Sequence, residues 1–218
     1  METGYVVVNL LGCVLVITST LVVLSRKLRT AAFMYAAQSL VLVSMFLTLA
    51  ITTGSQDLYL WSGSAFVTKV VLVPSIMLYT IKKLDNPDEV LPTKLTPVRC
   101  VLLVVVELVV CYLAVMSISL PTAAEVHPAL AISLAHFFIG LTCIVSQRNI
   151  MKQIFGYCLM ENGSHVTLAL LAPSVPGLVE TGVATDAVFA VVIMALVALK
   201  IYRTAHTLDA QDLMELKG

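Results

Sequence analysis

The stretch IMKQIFGYCLMENGSHVTLALLA, residues 150–172, is long enough to span a membrane as a helix, yet its middle contains the polar run Glu161-Asn162-Gly163-Ser164-His165. A carboxylate at the centre of a bilayer costs about 2.5–3.5 kcal/mol on insertion scales, so such residues usually have a function. Glu161 and His165 are four positions apart and therefore share one face of a helix. Two interpretations stay open: the pair is a proton relay, or it is a structural carboxylate–imidazole pair that joins two helices.

The composition of the whole chain is typical of a polytopic membrane protein. Of its 218 residues, 59% are hydrophobic and 12% are charged, and the mean hydropathy is +0.98. The formal net charge is zero, so the sequence offers no basic surface for nucleic acid. The five cysteines lie singly in apolar segments, without a CxxC motif or a ligand-like spacing to histidine. We therefore expect no metal, haem or iron–sulfur cofactor in this chain.

Apolar runs of about 20 residues, the length that a hydrocarbon core requires, recur along the chain. They predict an all-α fold with seven transmembrane helices, at 4–25, 30–53, 58–81, 97–119, 127–147, 150–172 and 179–203.

Lysine and arginine occur in every second connection between these runs. They follow the first, third, fifth and seventh runs, whereas residues 54–57, 120–126 and 173–178 contain none. The positive-inside rule then predicts the N-terminus outside and the C-terminus in the cytoplasm. The turn-rich stretch 84–96 is the only sizeable connection. It predicts a division into a three-helix membrane part, a cytoplasmic loop, a four-helix membrane part and a cytoplasmic tail, at 1–83, 84–96, 97–203 and 204–218.

Other ionisable side chains are also predicted near the middle of helices. Lys69 and Glu107 have opposite charge and similar depth on consecutive helices, so they predict a neutralising ion pair or a relay step. Pro74 removes a backbone donor shortly after Lys69 and predicts a kink there. Gly163 and Ser164 predict a weak point in the sixth helix, where a bulge or water could enter.

The remaining polar candidates are weaker. His136 stands alone in the fifth apolar run and is predicted to be either a hydrogen-bonded core group or a relay residue. Asp186 is predicted close enough to the outer surface to be solvated. Gln38, in the second run, is predicted to bridge water or to pair with a neighbouring helix.

Several longer runs carry a family resemblance. They are QSLVLVS at 38–44, WSGSAFVTKV at 61–70, SQRNI at 146–150 and GYCLMENGSH at 156–165. On these residues the chain resembles component E of hydrogenase-4, and the resemblance covers the whole chain, including the ending at 207–218. Helices 5–7 are similar, more distantly, to the K subunit of respiratory complex I and the C subunit of cation/proton antiporters. One departure is the apolar pair Val191–Val192, where the complex I subunit has a second buried glutamate.

This resemblance implies a membrane subunit of a bacterial formate hydrogenlyase type of complex in the inner membrane. The implied partners are antiporter-like and complex I H-like membrane subunits and cytoplasmic hydrogenase subunits, which would hold the nickel–iron and iron–sulfur centres. This chain would have no redox or hydrolytic centre of its own. Its predicted role is in a proton path, through Glu161 and His165 first and then Lys69, Glu107 and His136, with Asp186 last. A stand-alone ion or proton antiporter and a non-conducting structural spacer are the alternatives.

Overall fold

The computed structural model describes residues 2–85, 93–118, 126–172 and 177–214. Within these ranges the chain is helical and forms no strand; two isolated bridge pairs join Thr93 to Gln147 and Asn149 to Asp209. The predicted all-α fold is therefore confirmed, with helix ends within three residues of the predicted runs. The helices are α1 (Glu2–Leu24), α2 (Leu28–Thr53), α3 (Gln56–Ile81), α4 (Pro97–Met116), α5 (His127–Ser146), α6 (Ile150–Leu171), α7 (Gly177–Ala205) and the short α8 (Ala210–Met214).

Six of the described helices, α1 to α5 and α7, are long and apolar enough to cross a membrane. The helix α6 has 22 residues, a sufficient length, but the run from Glu161 to His165 makes it more polar. Composition thus supports six of the seven predicted spans. The polar helix is nevertheless well enclosed: α6 packs against α1, α2, α5 and α7, and it has buried residues along its whole length.

The helix α3 changes its geometry in the middle. Its α-helical ends, Gln56–Ala65 and Val73–Ile81, flank a π-helical segment at Phe66–Leu72, in which the N–H of Val73 donates to the carbonyl of Thr68. Pro74 is the second residue of the second α-helical part. The distortion expected beside Pro74 therefore takes the form of a π segment, a feature often found at functional sites. Lys69 lies inside it and is 1% exposed.

The helices α5 and α6 approach each other closely along glycines. A Cβ added to Gly140 would lie 2.7 Å from the carbonyl oxygen of Gly156 and from the Cα of Met160. One added to Gly163 would lie 2.8 Å from the Cα of Phe137. Small residues at such contacts let transmembrane helices pack backbone to backbone. The predicted weak point at Gly163 is therefore wrong: α6 runs unbroken through this residue, which serves close packing instead.

The basic connections meet at one end of the bundle. The N–H of Lys94 donates to the carbonyl of Ser146 at 3.2 Å, and the side-chain amide of Gln147 donates to the carbonyl of Val23 at 3.3 Å. Lys152, the basic residue that follows Arg148 along the chain, lies fully buried in the first turn of α6. Its Nζ donates to the carbonyls of Val22 and Ser25, so it caps the C-terminal end of α1.

The segment after α7 is held against the turn between α5 and α6. The guanidinium of Arg148 contacts both carboxylate oxygens of Asp209, at 3.0 Å from Nε to Oδ1 and 2.6 Å from the terminal nitrogen to Oδ2. Desolvation raises the pKa of Asp209, but hydrogen bonds from Arg148 and from the N–H of Gln211, together with the Arg148 charge, outweigh it and hold this pKa below its usual value. The pair therefore stays ionised at neutral pH.

The two predicted membrane parts are in extensive contact. The helices α1, α2 and α3 of the first part pack against α5, α6 and α7 of the second, respectively. The division at residues 84–96 remains a prediction about the chain's organisation, and the polar site described next draws on helices from both sides of it.

Candidate functional site

The centre of the site is a buried ion pair between α3 and α6. The Nζ atom of Lys69 lies 2.6 Å from both carboxylate oxygens of Glu161 and donates at 2.8 Å to the Oδ1 atom of Asn162. The side chains of Lys69 and Glu161 are 2% and 12% exposed. A symmetric, charge-assisted contact of this kind is among the stronger polar interactions in a protein. This ion pair thus connects the π segment of α3 to the middle of α6.

His165 is the third member of this centre. Its Nδ1 atom lies 2.8 Å from the Oε1 atom of Glu161, across one turn of α6. The structure thus brings together the two residues that the sequence placed on one helix face. Glu161 lies within hydrogen-bonding distance of two basic side chains, Lys69 on a neighbouring helix and His165 on its own. We call Lys69, Glu161 and His165 the charged triad.

A line of neutral polar side chains continues from the triad into α2. The amide nitrogen of Asn162 donates to the Oε1 atom of Gln38 at 3.0 Å, and Ser39 donates to the same oxygen at 3.4 Å. The Nε2 atom of Gln38 lies 3.4 Å from the Nε2 atom of His136 on α5. Gln38 therefore pairs with neighbouring helices, the second of the two roles considered for it.

The line ends on α1. The Nδ1 atom of His136 lies 2.8 Å from the hydroxyl oxygen of Ser19, which donates its own proton to the carbonyl of Leu15 at 2.5 Å. Since Ser19 has one proton, its oxygen accepts from Nδ1–H of His136, and Nε2 of the same ring accepts from Gln38. A neutral imidazole with the proton on Nδ1 satisfies every contact, so His136 is a hydrogen-bonded core group of the network.

All the donors in this line point the same way. Lys69 donates to Asn162, Asn162 to Gln38, Gln38 to His136, His136 to Ser19 and Ser19 to a carbonyl of α1. Hydrogen bonds aligned head to tail polarise one another and strengthen together. The line therefore spreads the positive charge of Lys69 away from α6, across α2 and α5 to α1. In lipid surroundings each of these groups needs such an internal partner.

Two predicted site residues lie apart from the network. Glu107 on α4 is half-buried and accepts a hydrogen bond from the hydroxyl of Thr142 on α5, while its other oxygen has no hydrogen-bond partner among the described residues. The predicted pair of Lys69 with Glu107 is therefore wrong, because Lys69 pairs with Glu161 and α4 packs mainly against α5. Asp186 is exposed on α7.

Two members of the network were missed at the level of sequence. Asn162 was noticed only as part of the polar run, and its bridge between Lys69 and Gln38 was not predicted. Ser19 could not be distinguished in the sequence from its neighbours Thr18 and Thr20. The hydroxyls of both neighbours donate only to carbonyls of their own helix, as is common for serine and threonine in transmembrane helices. Burial against α5 distinguishes Ser19, and that contact depends on the tertiary structure.

Two proteins of the hydrogenase-4 family resemble this chain along its whole length. Hydrogenase-4 component E of Escherichia coli strain K12 is 49% identical over 218 residues, covering 99% of this chain and 100% of the relative, and hydrogenase-4 component E of Shigella flexneri is equally similar. A protein of Mycobacterium tuberculosis, described as uncharacterized, is 23% identical over 93% of this chain and 92% of its own length. No solved structure matches the chain.

The C-terminal part of the chain carries a second similarity. Residues 128–218 match the family described as NADH-ubiquinone/plastoquinone oxidoreductase chain 4L. This range covers α5 apart from its first residue, and all of α6 and α7, the helices predicted to resemble the small complex I subunit. It includes Glu161, His165 and His136. Full-length identity and the membrane-type helices lead to one assignment: the chain belongs to the family of hydrogenase-4 component E, a membrane component of a multisubunit hydrogenase.

Proposed function

We propose that this chain moves protons within the membrane part of a hydrogenase-4 or formate hydrogenlyase complex, with the charged triad as its proton-exchanging centre. The observation that carries the proposal is the position of one buried carboxylate, that of Glu161, within 2.8 Å of two titratable bases, Lys69 and His165. Buried ionisable groups at mid-helix are expensive in a membrane and are characteristic of proton paths. A purely structural pair needs only one cation.

The geometry gives the triad a simple exchange mechanism. One carboxylate can neutralise Lys69 or protonated His165, but it cannot neutralise both in a dry environment. A proton that arrives on His165 therefore draws Glu161 toward the imidazolium and weakens the hold on the proton of Lys69. A proton that returns to Lys69 does the reverse: it draws Glu161 back to the ammonium and weakens the hold on the proton of His165. The triad can thus accept a proton on one side and release one on the other.

The neutral line from Asn162 to Ser19 has a different role in this proposal. Amide side chains hold fixed donors and acceptors and do not readily pass protons on, so the line polarises and orients Lys69 rather than conducting. His136 is the one titratable group on it and is a candidate relay residue only when its ring gains a proton. We assign Glu107 and Asp186 no step in this path, because neither contacts the network within the described residues.

The test replaces His165 by glutamine, which keeps size and hydrogen-bonding capacity but cannot be protonated. The ion pair of Lys69 with Glu161 remains, so we expect normal amounts of assembled complex and a loss of at least about tenfold in proton translocation per turnover. His127→Gln, at the start of α5 and outside the network, is the matched control. Translocation is measured in membrane vesicles and normalised to assembled complex; normal coupling in His165→Gln would support the spacer alternative instead.

We also propose that α6 spans the membrane with the other six long helices, with the N-terminus outside and the C-terminus in the cytoplasm. Three observations support this. The polar side chains of Lys152, Asn162 and His165 on α6 are buried inside the bundle. The helix α6 follows α5 through a short turn and packs along it, and the basic connections lie at one end of the bundle. A helix that hides its polar residues inside a bundle does not need an apolar composition.

A reporter experiment checks this topology. A reporter that is active only in the cytoplasm should be active when fused after Arg203 and inactive when inserted near Asp57, because basic residues mark alternate connections. The opposite pattern would reverse the orientation. Five helices, α3 to α7, lie between the two sites, so the sites should be on opposite sides of the membrane. Equal activity at both sites would mean an even number of spans between them, with α6 not spanning the membrane.

The remaining parts of the proposal concern the surroundings of the chain. We propose the bacterial inner membrane as its location, antiporter-like and complex I H-like subunits as membrane neighbours, and cytoplasmic hydrogenase subunits with nickel–iron and iron–sulfur centres at the basic end. A stand-alone antiporter is the competing function, and ion exchange in vesicles that contain this chain without other subunits would favour it.

A further inference from the structure

A groove of about 380 Å³ opens between α3 and α7 near the basic end of the bundle. Its walls are mostly apolar and include Ile76 on α3 with Leu196 and Leu199 on α7. The small side chain of Ser75 on α3 also lines it. The groove faces the surroundings of the bundle, since Ser75 and Leu196 are exposed. Its volume lies in the range of small-molecule sites.

A cationic side chain stands at the mouth of the groove. Lys83 follows α3, lines the groove, and holds its Nζ atom 4.2 Å from the ring centroid of Tyr79, which also lines it. This cation–π contact keeps the ammonium at a fixed place on the surface. Lys82 is exposed beside it, and Lys200 and Arg203 are exposed on the last turns of α7.

The end of α7 is tied to this corner. The hydroxyl of Tyr202 donates to the carboxylate of Asp85 at 2.9 Å and accepts from the N–H of the same residue at 3.2 Å. The basic residues at the ends of α3 and α7 therefore flank the same opening. Among the described residues, exposed Lys82, Lys83, Lys200 and Arg203 therefore outnumber the one exposed carboxylate at this corner, that of Asp85, which accepts from Tyr202.

We propose that this groove binds an anionic phospholipid, with an acyl chain between α3 and α7 and the phosphate at Lys83. The occupant follows from the two ends of the site: an apolar cleft that opens to the hydrocarbon, and a cluster of cations, with an aromatic ring, at the depth of the headgroups. Basic pockets between transmembrane helices on the cytoplasmic side are suited to acidic headgroups. A zwitterionic lipid fills the cleft equally well but gains less at Lys83. This site is separate from the charged triad, so it stands or fails independently of proton transfer.

The experiment uses the detergent-extracted complex that contains this chain. It is incubated with phosphatidylglycerol and phosphatidylethanolamine of identical acyl chains, and retained lipid is identified by native mass spectrometry. We expect selective retention of phosphatidylglycerol, lowered about fivefold by Lys83→Gln, the factor that one basic residue near an acidic headgroup supplies. Lys27→Gln, an exposed lysine at the same end but on the loop after α1, should retain the wild-type selectivity.

The cleft is tested separately from the charge. Ser75→Phe should fill the groove and reduce retention of both lipids, whereas Val197→Phe, exposed on α7 but outside the groove, should not. A photoreactive residue in place of Leu196 should attach to lipid. Equal retention of both lipids in the wild type, or unchanged phosphatidylglycerol selectivity in Lys83→Gln, would overturn the proposal. A cross-link from position 196 to another subunit would overturn it too, by showing a protein in the groove.

Discussion

Replacing Lys69 alone by methionine is expected to remove most of the subunit from membranes, and adding Glu161→Gln is expected to restore it. The single change removes the cation that lies 2.6 Å from both oxygens of Glu161, so the buried carboxylate keeps a counter-charge only if His165, at 2.8 Å, takes up a proton inside the bundle. Breaking a buried ion pair on one side costs about 3–5 kcal/mol, whereas replacing both partners by uncharged groups of similar volume is often neutral. Methionine matches the length and apolar stem of lysine, so the double variant keeps the packing.

The measurement is the amount of tagged chain in membranes and the melting temperature of the extracted complex. Lys27→Met is the control for removing a lysine, since Lys27 is exposed at the end of the bundle. If Lys69→Met were as abundant as the wild type, the ion pair of Lys69 with Glu161 would not be a water-excluded pair that the fold depends on. Failure of Glu161→Gln to rescue would show that Lys69 does more for folding than neutralise Glu161, for instance through its bond to Asn162.

The partner of Lys69 illustrates what the sequence could not predict. Depth along a helix follows from counting residues, and by that measure Glu107 and Glu161 are equally good partners. The choice between them depends on which helices are neighbours, and α4 packs mainly against α5 rather than against the π segment of α3. The π segment also shifts the side chains relative to an α-helical count, so the face on which Lys69 lies could not be read from periodicity.

The features that the sequence did predict have local causes. Helix bounds follow from apolar runs that end at charged or turn-forming residues, and the contact of Glu161 with His165 follows from their spacing on one helix. Gly163 shows the limit of local reasoning. Its low helix propensity predicted a weak point, but in a membrane bundle a glycine also permits close approach, and the backbone of Phe137 occupies that space.

The largest functional effect is expected in the rescued variant, Lys69→Met with Glu161→Gln. With neither charge present, the site retains polar groups and packing but loses two of its three titratable members. We expect the complex to assemble and turn over, and proton translocation per turnover to fall by at least about tenfold. The assay is dye-detected proton movement in everted membrane vesicles during hydrogenase turnover, divided by the amount of assembled complex.

This variant separates the two interpretations of the triad because it removes exchangeable protons without leaving an unpaired charge. If Lys69 and Glu161 only join α3 to α6, an uncharged pair of the same size joins them as well, and coupling stays normal. If the single carboxylate shared between Lys69 and His165 is the exchange point, no substitute in the double variant can hold a proton beside His165, and coupling is lost even though the protein is folded. Glu161→Ala offers no such separation, since it also removes the acceptor for Lys69 and leaves a cavity. Normal coupling in the assembled double variant would therefore reject the triad as a relay. Lost coupling in the same assembled variant could not be attributed to an unstable protein.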